Sequence, residues 1–191
     1  MNQSRSSLAA LSLAVVLALS ACASATTVQL VPSPQPSMCQ STGNALVLWV
    51  PQWRPDQKDV PEREAAAADG IAQFFAKSGC FASATVQRLT QPPAPAVPAA
   101  LMQARSAYER AVVVSVRELG PIVKIGSSSA LVEGGTEVVL ELTEYRLPAL
   151  SAHRSFSVTW RNGGPGVIKG VGSLPQDIQA ALAAGMQPVA K

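Results

Sequence analysis

The chain of 191 residues has one histidine, three cysteines, and only nine aromatic residues (4 Phe, 3 Trp, 2 Tyr), 5% of the whole. With His153 alone and so few thiols, a structural or catalytic zinc site lacks ligands, and neither metal nor cofactor is expected. Charged residues make up 14%, and although Lys+Arg outnumber Asp+Glu by 15 to 12, no three basic residues are consecutive. The footprint of a nucleic-acid binder is therefore missing. No Gly-x-Ser-x-Gly elbow occurs, nor a Ser-x-x-Lys in a helical setting. The stretch Gly163–Gly170 is superficially like a phosphate loop, but it lacks Gly-Lys-Ser/Thr and Pro165 removes an N–H that a phosphate would need. His153 starts a strand beside Arg154 with no local acid, which fits a solvated turn histidine better than a general base. Glu137 and Glu141, with Glu144 nearby, belong to one strand, and Glu109 and Glu118 flank another; period-2 alternation puts Glu137 and Glu141 on a solvated sheet face. No catalytic residue emerges, and the chain is expected not to be an enzyme.

What is present begins at the N-terminus. Met1–Ser7 is polar with Arg5, and Leu8–Leu19 is an almost unbroken apolar run. As a helix, twelve residues rise about 18 Å, short of the roughly 30 Å hydrocarbon core, so residues 1–21 read as an export signal and not a membrane span. The run ends in Leu19-Ser20-Ala21-Cys22, which resembles the bacterial lipobox. That resemblance implies lipidation of Cys22, with palmitate among the acyl groups, and membrane attachment of the mature chain. Ala23 at the next position, in place of Asp, implies sorting to the outer membrane, facing the periplasm. The alternative is ordinary cleavage after Ala23-Ser24-Ala25, itself a small-x-small site.

Residues 22–41 carry Pro32, Pro34 and Pro36 in a Ser-rich context, the composition of an extended tether. Residues 42–188 read as one domain. Leu46–Val50 is an apolar, β-rich run expected to be a strand buried on both faces. Pro61, with Glu62 and Glu64 behind it, opens a helix running to Ser78; Ala65, Ala68, Ile71, Ala72 and Phe75 form its apolar positions and Gly79 its stop. A strand at Ala84–Leu89, a helix at Ala99–Arg110 and a central strand at Ala111–Val116 follow, the last broken by Gly120-Pro121. Thr136–Arg146 and Arg154–Trp160 alternate as half-buried strands, with Val139 the exception. Asn162–Gly166 reads as a turn, and Ser173 with Gln176 offers capping-box spacing for a last helix. The expected fold is α+β, in the order β-α-β-α-β-β-β-α, a mixed sheet with helices packed mainly on one face.

This order, with the corner Phe75-Ala76-Lys77-Ser78-Gly79-Cys80-Phe81, resembles small periplasmic lipoprotein domains: the penicillin-binding-protein activators, the curli-secretion lipoprotein, the N-terminal domain of the Tol propeller protein, and the auxiliary lipoproteins of ABC-type lipid transport. The resemblance implies fold more than function.

Once Cys22 is acylated, Cys39 and Cys80 remain, and an even pair in an oxidising compartment is expected to bridge. A parallel β-α-β unit puts both strand starts at one end, where the two thiols meet; the alternative is an inert thiol at Cys80 and a free one at Cys39. Trp49 and Trp160 lie within strands and belong to the core. Trp53, in Pro51-Gln52-Trp53-Arg54-Pro55, has no periodic reason for burial, so Trp53 and Arg54 are the candidate partner contact, with packing across the helix start as the competing reading. The functional expectation is a non-catalytic accessory factor of envelope assembly or transport that binds an envelope protein. The alternative is a subunit binding a small ligand or lipid in an envelope transport system, signalled by a deep apolar pocket.

Overall fold

The computed structural model describes residues 24–90, 93–125 and 132–187. Six strands form one mixed sheet: β1 (Ala25–Val31), β2 (Asn44–Pro51), β3 (Ser83–Arg88), β4 (Arg110–Ile125), β5 (Val132–Arg146) and β6 (Ser151–Pro165). Their order across the sheet is β1-β6-β5-β4-β2-β3. β4, β5 and β6 are long antiparallel neighbours, β1 adds antiparallel to β6, and β2 runs parallel to both β3 and β4. Three α-helices, α1 (Val60–Lys77), α2 (Pro93–Ala104) and α3 (Leu174–Met186), complete the α+β architecture.

The continuous apolar run of β2 is explained by burial on both faces. Ala45, Val47 and Trp49 join the larger core with Val112, Val114, Leu140, Val158, α1 and α3. Leu46, Leu48 and Val50 face the other way, onto Val97 and Leu101 of α2. Two helices thus cover one face and the third covers β2 and β4 from the other.

Several expectations are corrected. Residues 25–31, read as part of the tether, form β1, paired with β6 from Ala25↔Gly163 to Val31↔Ser157. The second helix starts at Pro93, earlier than expected, and contains Pro98. β4 does not stop at Gly120-Pro121: it bulges between Val116 and Glu118 and continues to Ile125 against β5. β6 likewise runs through Asn162–Pro165. In α1 the buried face is Arg63, Ala66, Ala67, Gly70, Ile71, Phe74 and Phe75. Ala65 and Ala72 are exposed; alanine is too small to mark a helix face, and Gly70 marks the crossing with α3, since a Cβ there would meet Ile178 and lie 2.6 Å from the Pro175 carbonyl oxygen. Gly79, at φ 62°, does end α1 in the left-handed conformation. Ser173 makes no side-chain cap to α3; its hydroxyl donates to Asp177 Oδ2 at 2.9 Å.

The segment after β1 is bound closely to the domain. Met38 is fully buried and its N–H donates to the Met186 carbonyl at 2.8 Å. The next residue, Cys39, is joined to Cys80 by a disulfide. Beneath lies Glu144, with a side chain 2% exposed, accepting from Arg110 Nη1 at 3.0 Å and from Arg154 Nε at 2.7 Å. Arg154 also donates to the carbonyls of Pro36 at 2.6 Å and Ser37 at 3.0 Å. Arg110 reaches the side chain of Gln40. A buried carboxylate held by two guanidiniums therefore fixes the sheet to the crossing segment.

Candidate functional site

Pro51 ends β2 and turns the chain into Gln52–Pro55, whose position is set by the Gln52 N–H donating to the Val116 carbonyl at 2.9 Å. Trp53 is half-buried against the larger core. Its indole N–H donates to Glu64 Oε1 on α1 at 3.3 Å. The other oxygen of Glu64 pairs with Arg88 at 2.5 Å, and that guanidinium lies 5.4 Å from the ring centre of Trp49. One edge of Trp53 is thus packed across the start of α1, while the residue also lines a groove.

That groove, of about 620 Å³, lies between the loop after β2 and strands β4 and β5. Gln52, Trp53, Arg54 and Pro55 form one wall; Arg117, Glu118, Glu137 and Val139 form the other. Its electrostatics are asymmetric. Glu118, 17% exposed, accepts from Arg54 at 3.0 Å and from buried Arg63 at 3.2 Å, whereas the Arg54 side chain is 64% exposed. Glu137 accepts from Arg161 Nε at 2.7 Å, and Arg117 Nη1 donates to Gln52 Oε1 at 2.5 Å. The carboxylates sit low and the guanidiniums stand toward solvent. Such a surface presents hydrogen-bond donors and positive charge beside a flat indole, the side-chain types enriched at protein contacts.

Trp53 and Arg54, the candidate contact residues of the sequence reading, both line this groove. Arg117, Glu118, Glu137 and Val139 come together only through strand pairing; the one sequence signal was Val139, which breaks the alternation of β5 and lines the groove. The other weighed residues lie elsewhere. His153 is exposed, its Nε2 2.9 Å from Arg146 Nη2. Glu141 is half-exposed opposite Arg117 at 3.7 Å. Among the described residues no three His, Cys, Asp or Glu side chains gather as metal ligands would. Cys22 and the export signal lie outside the described residues, and no helix among those described is long and apolar enough to cross a membrane.

No family model matches the chain, and no curated protein matches it. Solved structures of similar outline belong to bacterial proteins. The PelC dodecamer from Paraburkholderia phytofirmans is 17% identical over 85% of this chain and 99% of its own, with a TM-score of 0.49. Lipoprotein GNA1162 from Neisseria meningitidis is 14% identical over 73% of this chain and 94% of its own, with a TM-score of 0.43. Protein XCC0632 from Xanthomonas campestris, of the DUF330 family model, is 14% identical over 78% of this chain and 82% of its own, with a TM-score of 0.40. None of the three is named for one of the four groups that the element order resembles, and a likeness of this extent carries no functional information.

Proposed function

We propose that the protein is a lipid-anchored accessory factor of the bacterial envelope, attached through Cys22 to the outer membrane, facing the periplasm, and that it acts by binding a protein partner and not by turnover. The anchor rests on the export signal and on Leu19-Ser20-Ala21-Cys22. The observation that carries the binding role is the groove beside Trp53, where an exposed Arg54 and a half-exposed Arg117 stand over shielded carboxylates. An acyl chain or apolar ligand finds no enclosed apolar volume there, since five of the eight lining residues are Gln, Arg or Glu. An acidic segment of a partner is the better fit, because it can take up the Arg54 and Arg117 donors without leaving Glu118 unpaired, Arg63 remaining its second partner.

The test has two parts. Cys22→Ser should abolish incorporation of labelled palmitate and release the protein from membranes; unchanged labelling refutes the anchor. A photo-crosslinking residue at Arg54 should capture one discrete envelope protein in cells, while the same residue at exposed Thr85 on β3 captures none; equal capture at both sites refutes the contact. Trp53→Ala, by contrast, should both weaken capture and lower folding stability by roughly 1–3 kcal/mol, because the residue also packs on α1.

A further inference from the structure

The strand that the tether reading missed determines which end of the domain meets the bilayer. If Cys22 is acylated as proposed above, only Ala23 and Ser24 separate it from Ala25, the first residue of β1, three residue steps away. Three residue steps reach about 11 Å at full extension, comparable to the headgroup layer on one side of a bilayer, roughly 5–8 Å. Ala25 is paired with Gly163 near the end of β6, and Gly164 and Pro165 continue past it against Gly134 and Glu133 of β5. The end of the sheet where β6 stops is therefore held within a few ångströms of the membrane.

A short loop leaves β6 at that same end. Gly166, at φ 73°, turns the chain, and the Val167 N–H closes the turn onto the Gly164 carbonyl at 3.2 Å. Beyond it Ile168 is 93% exposed, the most exposed large apolar residue among those described, and Val171 is 45% exposed. The only charge in the loop is turned away from solvent: Lys169 Nζ pairs with Asp177 Oδ1 at 2.7 Å and lies 5.6 Å from the ring centre of Trp160. An ordinary solvated loop shows its charge and hides its isoleucine, and this one does the reverse. Gly166, Gly170 and Gly172 add no side chain that would hold it off a surface.

We infer that Gly166–Gly172 is a bilayer-docking loop, with Ile168 entering the acyl region beside the lipid of Cys22 and Val171 at its border. The inference rests on acylation of Cys22. Anchor and loop then make two separated contacts, so that the domain is oriented on the membrane and not merely tied to it.

An environment-sensitive nitrobenzoxadiazole dye tests this in the full-length protein, expressed with its own signal and reconstituted in vesicles of phosphatidylethanolamine and phosphatidylglycerol. With Cys22 acylated and Cys39 joined to Cys80, Ile168→Cys supplies a free thiol for the dye. Ser106→Cys, in the exposed turn before β4 at the opposite end of the sheet, is the control. Dye at residue 168 should show blue-shifted emission raised several-fold and be quenched by lipids bearing nitroxide on the acyl chain, while dye at residue 106 keeps an aqueous spectrum. An acylated protein that sediments with vesicles but whose residue-168 dye stays aqueous overturns the docking loop and leaves the anchor standing. A protein that takes up no palmitate and does not sediment overturns both.

Discussion

Glu144→Gln removes one charge from a buried polar cluster of the protein while keeping the side chain's shape. In the native fold each carboxylate oxygen accepts one charge-assisted bond, from Arg110 at 3.0 Å and Arg154 at 2.7 Å. Such bonds contribute about 1.5–3 kcal/mol each. The glutamine carbonyl retains one in weakened form, and its NH2 group must face the second guanidinium, donor against donor. Breaking a fully buried ion pair costs roughly 3–5 kcal/mol, but the arginine side chains are 20% and 15% exposed and regain some water. The expected loss is therefore about 2–4 kcal/mol, a large share of the roughly 5–15 kcal/mol that holds a domain folded. Urea unfolding of the oxidised domain, followed by the fluorescence of its three tryptophans, measures it. Because both disturb the same bond, Arg154 Nε to Glu144 Oε2 at 2.7 Å, and Glu144→Gln leaves Arg154 facing an amide donor, Glu144→Gln and Arg154→Gln should combine to less than the sum of their separate effects. A loss below about 0.5 kcal/mol for Glu144→Gln, or strict additivity with Arg154→Gln, refutes the claim that this triad secures the crossing segment.

Gly70→Ala should destabilise by roughly 1–2 kcal/mol: overpacking against Ile178 and the Pro175 backbone costs up to about 3 kcal/mol, of which alanine's helix preference returns about 1. Equal or higher urea resistance would show that α1 and α3 can separate freely. Reducing Cys39–Cys80, which spans 41 residues of sequence, should lower stability by about 4 kcal/mol in the loop-entropy model; unfolding with and without reductant measures it, and a change below about 1 kcal/mol would show that Met38 and the Glu144 cluster hold the segment unaided.

The sequence was most legible where one residue type serves one environment. The unbroken apolar run of β2 reported two covered faces, and Val138, Leu140 and Leu142 alternated because β5 buries one face against α3. β1 was not legible for the opposite reason. It is exposed along all but Leu30, so no periodicity records it, and its stability comes from backbone pairing with a strand more than 120 residues away. The proline after Gly120 misled because a break is the usual reading; past Val116, however, β4 extends beyond β2 and is an edge on that side, where sheets tolerate proline. Glu144 shares strand parity with the inward residues 138, 140 and 142, a sign that it is buried, but its two arginine partners come from β4 and β6 and are invisible locally. The groove was half legible for the same reason: Trp53 and Arg54 are adjacent in sequence, while Glu118 and Glu137 reach them only through the β4–β5 register.

The position of β1 also decides how the molecule carries load. A pull on the chain ahead of Ala25, with the far end of the sheet held, acts along the axis of β1 and strains its seven residue pairs with β6 together, in shear, instead of opening them one after another. Should they yield, and with them the Arg154 bonds to Pro36 and Ser37 and the seat of Met38, the roughly fourteen residues from Ala25 to Met38 peel away and free about 45–50 Å of extended chain. The extension stops at Cys39, where tension passes through the covalent bond to Cys80 at the corner between α1 and β3. The paired strands β4, β5 and β6 and the groove beside Trp53 are left unloaded. A domain built this way gives under strain by a fixed length and recovers by re-pairing β1 with β6 and reseating Met38 beside Met186, while the groove beside Trp53 keeps its form.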